Sequence, residues 1–397
     1  STAYSQTWVQ KLNGRSVWSL GKDNSGNLFA GGLTGANSRI WKSTNGGNSW
    51  DTIYIGSGST MWDFAFDSNG NMFVANFNSG ILISTNGGAN FTITDTSNFN
   101  GERPQGIACD NNGRVYVTTS GGFFRSTDYG NTFTATALGG SNCLPVVVAS
   151  ASDKIVYVGV SAASGVGIGF YRSTDFGLTF STNLNPGKNG YNIYQKEDGT
   201  LYMITTTSPY NVDRSSNNGL TWTTLGNAPS TPRGITLDAT GNIYLAGNGG
   251  AYKSTNGGTS FINFNLTGSC TPALTLGNKI LVGASGGTAG VYIYTDSSIV
   301  GIDPINNNKP DKVILYQNYP NPFNPETKIK FDLPVSSNII LSVYNINGKK
   351  VARLYSGKLG AGTHNYSFNG TELSSGVYYY KLVTDGFTET KRMVLVK

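Results

Sequence analysis

One histidine, three cysteines and no long apolar run are the first features of this 397-residue sequence. A zinc hydrolase uses several imidazoles and a Ser-His-Asp hydrolase needs one beside its nucleophile, so a single histidine removes both classes. That residue, His364, sits in the alternating segment 363–367 and reads as an ordinary half-exposed strand position. Cys109, Cys143 and Cys270 form no C-x-x-C and are odd in number, which indicates neither a metal knuckle nor a disulfide framework. No metal site and no cofactor is expected. No stretch approaches the roughly 20 apolar residues of a membrane-spanning helix, so none is expected either. Runs of Ala, Glu, Lys and Leu are nearly missing, which excludes coiled coils and helical bundles. Abundant instead are glycine, with 53 residues, Ser, Thr, Asn and 12% aromatics. This composition predicts many short strands joined by tight turns.

Self-similarity organises the first three quarters of the chain. The octet at 43–50 returns at 84–91, 126–133, 173–180, 215–222 and 254–261. Its form is Ser, Thr or Ser, Asn or Asp, any residue, Gly, any two residues, then an aromatic. In such a turn the Asn or Asp side chain bonds backbone N–H groups further on, the Gly takes positive φ, and the aromatic plugs a layer and starts the next strand. Ahead of each octet runs a fixed grammar, clearest in the second copy: strand 62–66, hairpin turn 67–70, strand 71–75 and strand 80–83, with 91–94 as the fourth strand. Four antiparallel strands make one propeller blade. A seventh copy over 272–296 stops short of its fourth strand, and residues 6–10 read like the missing piece. The expectation is an all-β chain whose residues 1–296 form a seven-bladed β-propeller, the last blade stitched from residues near 6–11 and 271–296. Such closure removes two sheet edges that invite aggregation.

The octet resembles the Asp-box, or bacterial neuraminidase (BNR) repeat, of sialidases, secreted glycosidase propellers, sortilin-like receptors and photosystem II assembly-factor-like propellers. In those families the box lies on the face away from the active site and stabilises blades. The turns beginning at Asp23, Asp67, Asp110 and Asp238 lack the further acidic ligands and the twelve-residue length of an EF-hand, and read as hairpin turns.

After Asp296 the pattern gives way to an Asn- and Pro-bearing linker, 297–312. Beyond it, closely spaced prolines in Tyr319-Pro320-Asn321-Pro322-Phe323-Asn324-Pro325 preclude a helix or a central strand. Six alternating or apolar segments then follow, predicting a small immunoglobulin-like β-sandwich over 313–397. The proline segment, Val343-Tyr344-Asn345-Ile346-Asn347-Gly348-Lys349-Lys350-Val351, the stretch 373–382 and the terminal 391–397 together resemble the type A C-terminal sorting domain of the type IX secretion system of Bacteroidetes. The resemblance implies export to the cell surface or the extracellular space, with the translocon and an outer-membrane surface glycolipid as partners, and cleavage or retention of the domain left open. Ser1 stands where an initiator methionine would be, and the expectation is that a signal peptide has been removed.

Residues 1–296 carry 16 basic and 15 acidic groups, whereas 297–397 carry 12 and 7. The basic excess therefore belongs to the C-terminal part, which argues against a nucleic-acid-binding main body. It suits an anionic glycolipid or translocon, or simply solvated surface lysine.

Aligning repeats on Gly26, Gly70, Gly113, Gly199 and Gly241 puts Trp18, Trp62, Gln105, Tyr191 and Arg233 at one equivalent position, eight residues earlier, where the innermost strand meets the central opening. Arg15 and Arg103 lie slightly further out, and Cys143 and Cys270 fall in comparable loops of blades four and seven. Aromatic plates beside hydrogen-bonding groups suit sugar rings, and guanidinium suits carboxylates. Trp18, Trp62, Arg103, Tyr191 and Arg233 are thus the candidate ligand-binding residues for a glycan or an extracellular protein; the alternative is that these aromatics simply fill the axis. A sialidase-like hydrolase would draw on Arg15, Arg103, Arg233, Tyr191, Glu102 and Asp63, and Asp63 with Glu102 is the one carboxylate pair expected at the mouth. The Phe-Arg-Ile-Pro-like motif of sialidases is missing, and no catalytic residue is assigned. A third reading, a structural subunit of an extracellular assembly or filament, leaves self-assembly open.

Overall fold

The computed structural model describes residues 7–110, 112–136, 138–149, 154–163, 166–196, 198–206, 208–296, 313–333, 337–359 and 362–397. The expected linker, 297–312, lies outside them. Contacts divide the chain into two compact units, Ser1–Ile305 and Asn306–Lys397.

The first unit is a closed ring of seven antiparallel sheets. Blade two shows the plan, with Met61–Phe66 innermost, then Met72–Asn76, Gly80–Ser84 and Thr92–Thr94 outermost. Blade seven consists of Ser269–Leu276, Lys279–Ser285 and Gly290–Thr295, and its outermost strand is Val9–Lys11 from the other end of the chain, with Val9 opposite Ile293. The N-terminal strand closes the last blade, as the repeat arithmetic requires. Around the axis each innermost strand touches the next, and Ser269–Leu276 returns to Ser16–Lys22 of blade one. Blade four departs from the plan. Among the described residues it has three strands, and the stretch that would be its fourth makes isolated bonds to the third, such as Ser181 N–H to Arg172 O at 2.9 Å.

Packing in this unit is distributed between blades. Seven hydrophobic clusters each join a pair of neighbours; Leu276, Leu281 and Ile293 of blade seven, for example, pack on Val17, Leu28 and Trp41 of blade one. The octet explains how adjacent blades are locked. In all six copies the Ser hydroxyl accepts the N–H of the Gly four residues on, at 2.8–2.9 Å, and donates to the Asn or Asp side chain. That side chain in turn accepts the N–H of the sixth residue after the Ser, as Asp175 does from Thr179 at 2.9 Å. The Gly is left-handed, and a Cβ there would collide with the preceding blade; at Gly177 (φ +75°) it would lie 2.9 Å from the Phe123 ring. The octet aromatic plugs the same gap: Phe180 meets Phe123 edge-on at 5.1 Å, and Trp222 meets Phe170 at 4.6 Å. Each of the four aspartate turns is closed by its own Asp side chain, and the first two are also joined across blades by the Asn24 amide donating to Asp67 O at 3.0 Å. Asp67, for instance, accepts the Asn69 and Asn71 N–H groups at 2.9 Å and the Asn71 amide at 2.7 Å.

The second unit is a sandwich of a three-stranded and a four-stranded sheet. The four-stranded sheet runs Lys350–Leu359, Ser337–Asn345, Gly376–Thr384, Thr388–Leu395. The opposing sheet pairs Ile314–Leu315 with Glu326–Leu333 and that strand with Gly362–Asn369. Its core gathers Phe331, Leu341, Val343, Tyr380, Leu382 and Met393. The proline segment binds the outer edge of the last strand: Phe323 N–H reaches Val394 O at 2.9 Å, and Asn321 Oδ1 accepts the Val394 N–H at 2.9 Å. Side chain and backbone so satisfy an edge that would otherwise pair with another chain. His364, half-buried in Gly362–Asn369, stacks on Phe331 at 5.3 Å.

Candidate functional site

Every innermost strand of the ring breaks register near its start. The shifts fall between Val17 and Ser19, Met61 and Asp63, Pro104 and Gly106, Cys143 and Val146, Gly190 and Asn192, Pro232 and Gly234, and Cys270 and Ala273. The extra residues in these seven bulges are Trp18, Trp62, Gln105, Leu144 with Pro145, Tyr191, Arg233, and Thr271 with Pro272. A bulge twists the strand locally and re-aims the side chain it carries. Here all of them line one axial cavity of about 270 Å³. Strands one and three of a blade run in the same direction, so the octets, which follow strand three, lie at the opposite end from the bulges.

Four of the five candidate ligand-binding residues, Trp18, Trp62, Tyr191 and Arg233, line this cavity, together with Gln105, the remaining residue of the alignment. Arg103 does not. It is exposed, its guanidinium 5.1 Å from the Phe77 ring, and Phe77 packs on Trp62 at 5.5 Å, which puts Arg103 one ring away from the opening. Arg15 is likewise exposed and absent from the lining. Cys143 and Cys270 are within strands and fully buried, not in loops, and burial pushes both thiols up to about 12.

The expected carboxylate pair is not assembled. Asp63 lines the cavity, whereas Glu102 is outside it, its carboxylate accepting the Ser120 hydroxyl at 2.5 Å. Asp63 accepts the N–H of Phe64 at 2.9 Å and that of Ile107, in blade three, at 3.1 Å. Burial lifts its pKa to about 7, against the pull of those two donors. Arg233 is the cation of the cavity; burial raises the Tyr191 phenol while Arg233 draws it the other way. Three polar atoms of the lining, Trp18 Nε1, Trp62 Nε1 and Gln105 Oε1, are buried with no hydrogen-bond partner among the described residues. Among the described residues the cavity thus offers flat aromatic faces, one cation and one carboxylic acid, with the two indole N–H groups and the amide oxygen packed behind its surface.

Alignment on the hairpin glycine misses blades four and seven, whose first turns differ in length. A different signal marks them. Cys143-Leu144-Pro145 and Cys270-Thr271-Pro272 share a Cys-x-Pro tripeptide, and proline inside an innermost strand is tolerated only where the ladder is already broken.

Residues 317–397 match the secretion system C-terminal sorting domain family. The chain is also similar in fold to PorZ, an essential bacterial surface component of the type-IX secretion system of Porphyromonas gingivalis: TM-score 0.55, 15% identity, 96% of this chain and 59% of PorZ covered. The chain therefore spans less than two thirds of PorZ. An inactive variant of virginiamycin B lyase from Staphylococcus aureus with quinupristin gives TM-score 0.59 at 15% identity, covering 74% of this chain and 99% of the lyase. YCF48 from Cyanidioschyzon merolae gives 0.56 at 12%, covering 73% and 99%. At such identities the likeness is one of fold. No curated protein matches the sequence significantly. With its sorting domain, the propeller-like unit is exported by type IX secretion to the cell surface or the extracellular space.

Proposed function

We propose that the exported propeller is a binding module that seats one sugar unit of a glycan in its axial cavity. The observation that carries this reading is the convergence of seven bulges on a cavity of about 270 Å³ lined by Trp18, Trp62, Tyr191 and Arg233. A sugar ring stacks its C–H face on such aromatics, and its hydroxyls suit the Arg233 guanidinium and the Asp63 carboxyl of the lining. The volume is just under that of ordinary small-molecule pockets, about 300 Å³ and upward, which suits a single terminal residue rather than an extended chain. Among the described residues Asp63 is the one carboxylate in the lining. Ordinary glycoside hydrolysis uses two, so recognition without cleavage is the favoured role. The repeated Ser, Gly and Asn or Asp bonding of the octets supports the Asp-box resemblance, and with it the assignment of the opposite face to stability.

A glycan array probed with the intact chain, followed by calorimetry on the best hit, tests the reading. Trp62→Ala and Arg233→Ala each weaken binding about tenfold or more if one stacking or charge-assisted contact of roughly 1.5 kcal/mol is lost. A blank array, or a hit untouched by both substitutions, overturns it. One of the fold's solved relatives, YCF48, is bound to a D1 peptide; capture of peptides at this cavity instead of sugars would replace the glycan with a protein ligand.

A further inference from the structure

The sorting unit contains a second feature that its fold does not require. In the stretch 343–351, Val343 is core, and Asn345 and Gly348 build the hairpin: Asn345 Oδ1 accepts the Asn347 and Lys349 N–H groups at 3.1 and 3.0 Å, and Gly348 is left-handed at φ +74°. In the stretch 373–382, Tyr378, Tyr380 and Leu382 are core. The residues between them point the other way. Tyr344 and Tyr379 are cross-strand partners, Lys381 stands opposite Thr390, and Ile346 projects from the hairpin. Together they line a groove of about 310 Å³ on the outer face of the four-stranded sheet. Ile346 is 70% exposed and Tyr379 37% exposed, and with Tyr344 they line one groove rather than standing singly.

The groove is also cationic. Lys381 lines it, the exposed Arg392 pairs beside Tyr379, and the exposed Lys350 pairs beside Tyr344. No carboxylate lines it among the described residues. Two of the sequence motifs that mark this unit as a sorting domain therefore divide their residues by face: one set builds the sandwich and the other builds a groove that contributes nothing to its core.

We propose that this outer-face groove is the surface by which the type IX export machinery holds the chain, and that the occupant is an apolar side chain flanked by a carboxylate on a protein component of that machinery. Apolar contact with Ile346 and Tyr379 supplies adhesion, and the carboxylate meets Lys381, whose charge selects against basic surfaces.

The test is export of the full chain, placed behind a secretion leader, from a bacterium that carries the machinery, measured as the fraction reaching the medium or cell surface against that retained in the periplasm. Lys381→Glu and the double variant Ile346→Ser, Tyr379→Ser each lower the exported fraction about tenfold, as loss of one interface contact of ordinary strength implies. Lys358→Glu, which makes the same charge change on the same sheet outside the groove, exports as wild type. Purified variants are melted to establish that the sandwich is intact, and Lys381→Glu, which removes no core atom, keeps the test valid if the double variant unfolds. A second readout replaces Ile346 with a photo-crosslinking residue, which is captured on a machinery component during export. Wild-type export of Lys381→Glu, equal loss in Lys358→Glu, or no crosslink from position 346 to that machinery overturns the proposal.

Discussion

The carboxylate of Asp63 in blade two accepts the backbone N–H of Ile107 in blade three at 3.1 Å, bridging two blades at the wall of the axial cavity. In blade one the equivalent post-bulge residue makes a similar bridge, the Ser19 hydroxyl donating to Met61 O of blade two at 2.8 Å. At Asp63 the bridge is also a titrating group.

Its pKa rises from 3.8 in the unfolded chain to about 7 in the folded one. Between those values the native state keeps the proton and the unfolded state has lost it, so unfolding releases a proton and stability falls as pH rises from about 4 to about 7. The loss is at most about 4 kcal/mol, at 1.36 kcal/mol per pKa unit. Denaturant titrations from pH 4 to 8 will show this slope superposed on the rest of the molecule's titration, and Asp63→Asn will remove it. A slope unchanged in Asp63→Asn would mean that the carboxylate is well hydrated.

Closure of the ring depends on the first described residues. Trp8 Nε1 donates to Phe264 O at 2.6 Å, and its ring meets Phe264 edge-on at 5.5 Å and Tyr294 at 5.6 Å. Trp8→Ala removes half-buried aromatic packing and leaves a carbonyl without its donor, which together cost about 3 kcal/mol. The equilibrium melt of the propeller will shift accordingly, and protection of residues 290–295 from hydrogen exchange will fall with it, since their strand becomes an edge.

Two glycines separate backbone strain from steric contact. Gly26, at φ +80°, has nothing within 4 Å of a would-be Cβ, whereas Gly177, at φ +75°, would place one 2.9 Å from Phe123. Gly26→Ala costs about 1–2 kcal/mol for the left-handed conformation alone. Gly177→Ala adds about 1–3 kcal/mol of overpacking between blades three and four. Equal losses in the two melts would show that Phe123 gives way freely.

These positions also show what was legible beforehand. The octet carries its own bonding rules in eight contiguous residues, so Ser173, Asp175 and Gly177 could be placed without coordinates. The N-terminal strand was legible because its absence left blade seven one strand short. The bulges were not: a register shift leaves no local sequence mark in Trp18 or Tyr191, and only the proline after Cys143 and Cys270 betrays it. The separation of Glu102 from Asp63 was equally hidden, because Ser120, eighteen residues away, decides where Glu102 turns. In the sandwich, strand alternation gave the faces, while the role of the proline segment as cover for the last strand required the Phe323 to Val394 bond.

That cover depends on Tyr380. Fully buried, its hydroxyl donates to Tyr316 O at 2.7 Å and accepts the Asn318 N–H at 2.8 Å, and burial pushes the phenol up to about 12. Tyr380→Phe keeps the ring and its packing but leaves a carbonyl and a buried N–H unpaired, a loss of about 2–4 kcal/mol. Because the ring remains, any loss reports on the proline segment rather than on the core. The Asn318 amide will exchange faster by about tenfold for each 1.4 kcal/mol lost, while amides of the central strand Ser337–Asn345 will slow or quicken only with global stability. If Asn318 keeps its protection, the segment is held instead by Phe323, whose ring packs on Phe368 at 6.0 Å, and Phe323→Ala becomes the variant that frees it.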